Sequence, residues 1–392
     1  MGLASQILAR LVSPILDRLD RGIVSGSIEA FLPGGERRLL GGRGAGPSAI
    51  LKINRWNALL RMASGGSVGC YEGWERGEWE SPDLVPLFDV FMRNRVTLGG
   101  TARASGLSRL AKRIAHGLHR NDRKGAKRNI MAHYDLGNDF YASWLDATMS
   151  YSSARFVGAQ ALEAGQAHKM AKLTERLALN TPSSILEIGC GWGHFARSLV
   201  ERGHAVTAVT ISPAQKDYAE AHNPGPDYQL LDYRDVSGSY DAIASVEMVE
   251  AVGQHYWPTY LDVIARSLKP GGRAAIQFIA INDDVFERYA SSADFIQAYI
   301  FPGGMLLSER RFRALAEARG LRWEAPEHFG LDYAETLRHW HDRFEAAVAA
   351  ARLPAHFDSQ FINLWRFYLQ YCEGGFRGGG IEVGQVTLIK QG

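Results

Sequence analysis

From residue 183 onward, short apolar runs alternate with helical stretches, and this alternation constrains the fold more than any other feature. The runs are "SSILEIGC" (183–190), "HAVTAVTIS" (204–212), "YQLLDY" (228–233), "YDAIASVEM" (240–248) and "RAAIQFIAI" (273–281). Repeated βα units of this kind build a doubly wound parallel sheet. Two later candidates, "LRWEAP" (321–326) and "IEVGQVTLIK" (381–390), flank a long helical stretch holding Trp340, Phe344, Trp365 and Tyr368, and they bring the expected sheet to seven strands.

The first 120 residues read differently, as a small α+β unit. An amphipathic helix opens it, and in "GSIEAFLPGGERRLLGG" (26–42) a Pro-Gly-Gly turn joins two alternating segments as in a hairpin. "AILKINRWNALLRMAS" (49–64) predicts a strand and then a helix, and "GEWESPDLVPLFDVFMRN" (77–94) resumes helical spacing after Ser81-Pro82, a cap followed by proline at the first helical position. The expected architecture is α/β: a Rossmann-like seven-stranded sheet over residues 121–392, with a smaller N-terminal α+β domain over 1–120.

Charge and cysteine usage narrow the class. No apolar run nears the roughly 18 residues needed to cross a bilayer, and Arg10 interrupts any signal-like core near the start. Cys70, Cys190 and Cys372 are scattered and odd in number, which fits neither a disulfide framework nor a metal cluster and points to a reducing cytoplasm. The net charge is only +2, yet "RLAKRIAHGLHRNDRKGAKRN" (109–129) holds eight Lys/Arg against Asp122 alone. It reads either as a solvated linker or as a contact for an anionic membrane surface, worth about 1 kcal/mol per basic residue. Without interleaved aromatics for base stacking, nucleic acid is the weaker reading.

The loop after the first strand of the large sheet is the main chemical motif. "LEIGCGWGHF" places Glu187 two residues before Gly189, Gly191 and Gly193, and then a helix begins. Glycines let a backbone pass close beneath a ligand, and a helix start offers free N–H groups. The spacing is G-x-G-x-G, not the dinucleotide G-x-G-x-x-G, and the second strand ends in Thr210, Ile211 and Ser212 where a ribose-binding acid would stand, which argues against NAD. With "LLDYRD" (230–235) after the third strand, the pattern resembles class I S-adenosylmethionine-dependent methyltransferases.

Further motifs sharpen the resemblance. "HYDLGNDFYASWLDATMSYSSARF", "LEIGCGWG", "VTISPAQ", "DYRDV", "VEMVEAVG", "YIFPGGML", "HFGLDYAETLRHWHDRF" and "YCEGGFR", in that order from about residue 130, resemble the cyclopropane-fatty-acyl-phospholipid synthase family, which includes the mycolic acid cyclopropane synthases. The resemblance implies transfer of a methyl carbon from S-adenosylmethionine to the cis double bond of an unsaturated phospholipid acyl chain. It implies that Gly189, Gly191 and Gly193 border the cofactor, that Tyr151 and Ser152 hold its methionine end, Thr210 and Gln215 its ribose, and Asp232 and Tyr233 its adenine side. It also implies bicarbonate as general base, a homodimer, and a cytoplasmic enzyme peripheral to the inner membrane surface.

Such a reaction passes through a carbocation, so its pocket must exclude water, and aromatic faces stabilise the cation by roughly 0.5 to 2 kcal/mol each. Glu247 and Glu250 follow the fourth strand of the sheet, at the strand ends where open α/β sheets bind ligands. At about 5 Å and an effective dielectric near 20, one carboxylate favours a unit positive charge by roughly 3 kcal/mol, about a hundredfold in rate. Glu250 is the candidate for that task. Glu247 either lines the cofactor pocket or is a capping or solvated acid.

Two positions depart from the better-known synthases: Ser153 replaces a cysteine and Gln277 a histidine, so hydrogen-bonding capacity survives but neither group titrates near neutrality. The expectation is that Ser153 Oγ, the Gln277 amide and the Tyr333 hydroxyl hold bicarbonate against Glu250, while the missing histidine leaves a methyl-branched or methylene product open. Cys372 also matches a family cysteine and reads as either a buried small hydrophobe or a site residue. His255, His339 and His341 show no metal-ligand spacing, and no metal is expected. The rivals are a methyltransferase for a small soluble acceptor and a noncatalytic lipid-binding or cofactor-sensing protein.

Overall fold

The computed structural model describes residues 3–99, 136–158, 161–180, 182–291 and 294–392. The basic segment 109–129 lies outside the described residues. The chain forms two compact units, each assembled from separated stretches: 1–118, 284–300 and 356–381 in one, and 119–283, 301–355 and 382–392 in the other. The stretches 284–300 and 356–381, assigned by sequence to the second domain, therefore cluster with the first.

In the first unit, β1 (Ser27–Phe31) and β2 (Arg37–Gly41) form the expected hairpin, and β3 (Ser48–Ile53) and β4 (Trp79–Glu80) complete a sheet of order β2-β1-β3-β4. The connection from β1 to β3 is parallel, whereas β3 and β4 are antiparallel. Alternate residues of β3, Ala49, Leu51 and Ile53, are buried, which is the period of two that a one-sided sheet requires. The helix Leu84–Arg93 is capped by Asp83, whose carboxylate accepts from Val85 N at 2.9 Å. Ser81 is therefore not the cap: its hydroxyl donates to Asp83 O at 2.7 Å, and Pro82 precedes the helix.

Helix Ser359–Arg377 packs against Leu84–Arg93 through glycines. A Cβ on Gly374 would lie 2.5 Å from Phe88 Cβ, and one on Gly378 would lie 2.6 Å from Met92 Cβ. Beside this crossing, the rings of Tyr71, Phe295 and Phe367 meet at centroid distances of 4.8 to 5.2 Å.

The second unit carries the seven-stranded sheet. Its strands are β5 (Ser184–Ile188), β6 (Ala205–Thr210), β7 (Asp227–Leu230), β8 (Tyr240–Val246), β9 (Leu268–Ile281), β10 (Leu321–His328) and β11 (Ile381–Lys390), in the order β10-β11-β9-β8-β5-β6-β7. The five strands from β9 to β7 pair in parallel, and β10 and β11 are antiparallel. Every apolar run singled out in the sequence forms one of these strands. Ile185, Leu186 and Ile188 in β5 and Ala242, Ile243 and Ala244 in β8 are fully buried, as strands covered on both faces must be. The connections from β5 and β8 leave in opposite directions along the sheet, so a crevice opens at the carboxyl ends of these two neighbours. Glu187 and Glu247 stand at that edge.

Candidate functional site

The glycine loop is tied to the sheet by its backbone. Gly189 N and Cys190 N both donate to Val209 O, and Gly193 N closes a turn onto Cys190 O. All three glycines have positive φ, 81°, 53° and 87° in order, which a side chain resists. Gly191 is the open one: a Cβ built there meets no atom within 4 Å, whereas at Gly193 it would lie 2.4 Å from the Tyr228 hydroxyl.

Glu187, at the end of β5, has the Ala196 amide as a partner, but its Oε2 is buried without a hydrogen bond among the described residues. Burial pushes its pKa up to about 8. An acid in this state keeps its proton while the site is empty and ionises when a cationic group docks beside it. An open glycine cradle beside an unsatisfied buried acid fits S-adenosylmethionine, whose methionine end carries an ammonium and a sulfonium; when bound it supplies an electrophilic methyl.

The remaining residues expected at the cofactor occupy the same edge or its flanks. Ser152 Oγ accepts from Lys169 Nζ at 2.6 Å, and its carbonyl accepts from Gln166 Nε2 at 3.0 Å. Thr210 Oγ1 donates to Gln215 Oε1 at 3.0 Å, so these two buried side chains hold one another. Asp232 accepts from the Arg234 backbone amide and pairs with its guanidinium at 2.5 Å. Burial pushes the pKa of neighbouring Tyr233 up to about 12, and its ring meets Tyr260 edge-on at 5.8 Å.

Tyr151 sits in an aromatic wall. Its ring centroid is 5.2 Å from Trp340, 5.4 Å from Tyr141 and 5.7 Å from Trp144, and Phe301 stacks at 6.5 Å. Tyr333 joins the same group, edge-on to Trp340 at 6.0 Å. Faces of this kind repel water and tolerate positive charge.

The two acids after β8 differ sharply. Glu247, with an unusual φ of 48°, turns its carboxylate into a ring of donors: Oε1 accepts from Ser153 N and Gln277 Nε2, both at 2.8 Å, and Oε2 accepts from the Tyr333 hydroxyl at 2.8 Å. Gln277 and Tyr333, expected opposite Glu250, are thus gathered on Glu247. Ser153 contributes its amide; its Oγ donates to Ala154 O at 2.8 Å instead. Glu250 is held by backbone amides alone, with Ile279 N donating to Oε1 and its own amide nearby, and its buried Oε2 has no partner among the described residues. Desolvation and then the nearby charge of Glu247 push the Glu250 pKa up to about 8. Burial also raises that of Glu247, but its donors and Lys169 oppose the rise. Two interacting acids whose environments differ in this way divide into an ionised and a protonated partner.

Lys169 was missed in the sequence. It is 2 % exposed, and its pKa is lowered to about 8 because desolvation outweighs the attraction of Glu247, Asp146 and Glu187. The signal was present as spacing: Leu162, Gln166, Lys169, Leu173 and Leu177 form the buried stripe of helix Leu162–Leu177, so two polar side chains stand where leucines are expected. Cys372 belongs to the first unit, on helix Ser359–Arg377, where burial drives its pKa upward and keeps it a thiol.

Comparison with known proteins agrees with this geometry. The family model for mycolic acid cyclopropane synthetase matches residues 121–386. The chain is 35% identical to the tuberculostearic acid methyltransferase UfaA1 of Mycobacterium tuberculosis, covering 87% of this chain and 83% of that one. It is 32% identical to the cyclopropane-fatty-acyl-phospholipid synthase of Escherichia coli, covering 88% and 89%. The crystal structure of the mycolic acid cyclopropane synthase CmaA1 with S-adenosylhomocysteine superposes with a TM-score of 0.63 at 27% identity, over 67% of this chain and 98% of that one. The chain belongs to the mycolic acid cyclopropane synthetase family of S-adenosylmethionine-dependent methyltransferases.

Proposed function

We propose that the protein transfers the methyl carbon of S-adenosylmethionine to the cis double bond of an unsaturated acyl chain carried on a phospholipid, and closes a cyclopropane ring. The observation that carries this reading is the pair Glu247 and Glu250 at the mouth of β8, together with the aromatic wall of Tyr151, Trp144, Trp340 and Tyr333. Heteroatom methylation has a lone pair to use and needs neither feature. An alkene attacking the sulfonium methyl becomes a carbocation, which needs a dry, electron-rich surround and a base for the proton that must leave. As that methyl proton departs, its C–H electrons form the third ring bond.

The phospholipid assignment draws on the likeness to the Escherichia coli enzyme. The likeness to a tuberculostearic acid methyltransferase supports a second product class: a methylene chain, reached when a 1,2-hydride shift moves the cation next to the new methyl before that methyl loses its proton, and a saturated methyl branch once a separate hydride donor reduces the methylene. Bicarbonate, the base implied by the family resemblance, has to compete with Glu247 for the Gln277 and Tyr333 donors. The basic segment 109–129 and the amphipathic opening helix support contact with an anionic membrane surface from the cytoplasmic side, with a homodimer as the expected assembly; no helix among the described residues is long and apolar enough to span a bilayer.

The test is to incubate the protein with S-adenosylmethionine and vesicles of monounsaturated phospholipid, then examine the released fatty esters by proton NMR. Ring protons upfield of the alkyl envelope are expected. Vinyl or branched-methyl signals instead support the second product class, and unchanged lipid refutes both.

A further inference from the structure

Three donors converge on one carboxylate in this site, more than a capping or solvated acid would gather. Gln277 cannot be turned the other way. Arg176, which only donates, reaches Gln385 Oε1 at 3.2 Å; Gln385 Nε2 donates to Gln277 Oε1 at 2.9 Å; Gln277 must then present its own NH2 to Glu247 at 2.8 Å. The chain of amides has a direction, and it ends on an anion. Gln277 and Gln385 are both fully buried, so the direction is not averaged away by water.

The backbone of Glu247 points to the same conclusion. Its φ of 48° is a conformation that a non-glycine residue enters at a cost of order 1 to 3 kcal/mol and that clusters at functional sites. The distortion is held by Glu247 N donating to Gln277 O at 2.9 Å, and it aims the side chain back at the amide of Ser153, two residues from Tyr151 in the aromatic wall. A glycine would sit here without strain, but the donors would then face an empty seat of anion size.

Building on the function proposed above, we propose that Glu247 is the general base of the reaction: its carboxylate fills the seat of an exchangeable anion such as bicarbonate and takes the methyl proton itself. One proton passes to a Glu247 oxygen as the C–H pair becomes the ring bond, and it later leaves to water. Ser153 N, Gln277 and Tyr333 are positioning groups that keep the carboxylate ionised and oriented. Glu250, which accepts from backbone amides only and has an unpartnered Oε2 and a raised pKa, is the protonated member of the pair. The substitutions at 153 and 277 noted in the sequence then belong to one change, from a seat for a borrowed base to a seat for a built-in one.

The experiment compares the native protein with Glu247→Gly and Glu247→Gln in CO2-free buffer, with S-adenosylmethionine and unsaturated phospholipid vesicles. Native turnover is expected to change less than twofold when bicarbonate is added. Glu247→Gly, which relieves the backbone strain and empties the seat, is expected to lose at least a hundredfold in kcat and to regain tenfold or more with bicarbonate or formate. Glu247→Gln fills the seat and stays inactive with either. Cofactor affinity, measured by calorimetry, is expected to stay within threefold in both variants, which separates loss of base from loss of fold.

A tenfold fall in native turnover on removing bicarbonate, or native turnover by Glu247→Gly without added anion, overturns the proposal. Binding of 13C-bicarbonate, followed by 13C line broadening, reads the seat without turnover: broadening by Glu247→Gly and none by the native protein is expected, and broadening by the native protein refutes it. If the native protein methylates no lipid, the functional reading fails while this binding measurement still decides the seat.

Discussion

Replacing Gly191 and Gly193 by alanine, one at a time, separates a glycine needed by a ligand from one needed by the fold. Both have left-handed backbones, at φ 53° and 87°, so each alanine costs about 1 to 2 kcal/mol on that account. The surroundings then divide them. At Gly191 the new Cβ meets nothing within 4 Å and adds no further strain to the folded protein. At Gly193 it would lie 2.4 Å from the Tyr228 hydroxyl and 2.8 Å from Ala219 Cβ. That hydroxyl cannot retreat cheaply, because it donates to Gly193 O and Asn223 O at 3.1 and 2.7 Å. Overpacking of this kind adds about 1 to 3 kcal/mol. Gly193→Ala is therefore expected to lose about 2 to 5 kcal/mol in urea denaturation, and Gly191→Ala about 1 to 2 kcal/mol. Isothermal calorimetry reads the other half. Gly191→Ala projects its methyl into the cofactor's space and is expected to weaken S-adenosylmethionine binding at least tenfold, about 1.4 kcal/mol. Native affinity in Gly191→Ala, or equal stability of the two variants, refutes the assignment of the loop.

Two further outcomes follow from the buried charges. Glu187 and Glu250, pushed up to about 8, keep their protons in the native state through the range where the unfolded chain has lost them, so native stability falls as pH rises from the usual carboxylate range to about 8. A cation bound beside them favours the ionised form; S-adenosylmethionine binding at pH 6.5 should therefore release protons and strengthen toward pH 8, which calorimetry in buffers of different ionisation enthalpy will show as a buffer-dependent heat. A buffer-independent heat contradicts it. Lys169→Met removes the cation facing Glu247 and Asp146 and leaves those buried carboxylates uncompensated; a loss of about 3 to 5 kcal/mol in urea denaturation at pH 7 is expected, and a loss under about 1 kcal/mol would show that the ammonium does not hold them.

The large sheet was legible because its central strands, such as β5 and β8, are buried on both faces and appear as unbroken apolar runs bounded by helical spacing, whereas the edge strands β7 and β10 are largely exposed. The glycine loop was legible because Gly189, Gly191 and Gly193 share a backbone demand that few other residues meet. The partition of the two carboxylates was not. Glu247 and Glu250 are three residues apart in the sequence, and which one faces the donors depends on a positive φ at Glu247 that nothing local announces. The Arg176–Gln385–Gln277 chain joins residues more than a hundred positions apart, beyond the reach of any periodicity. Lys169 hid in an amphipathic helix whose buried stripe admits two polar side chains. At the Ser81-Pro82-Asp83 cap, neighbouring residues had competing capping chemistry, and Asp83 won because its extended backbone puts its carboxylate within reach of Val85 N.

The most direct test of the chemistry uses S-adenosylmethionine carrying three deuterium atoms on its methyl group, with unsaturated phospholipid vesicles and mass spectrometry of the released fatty esters. A base that removes a proton from the transferred carbon leaves product with two deuterium atoms on that carbon, and this is the expected result. Product retaining all three would mean simple methyl transfer with no proton removed from that carbon, and would contradict the carbocation-and-base account.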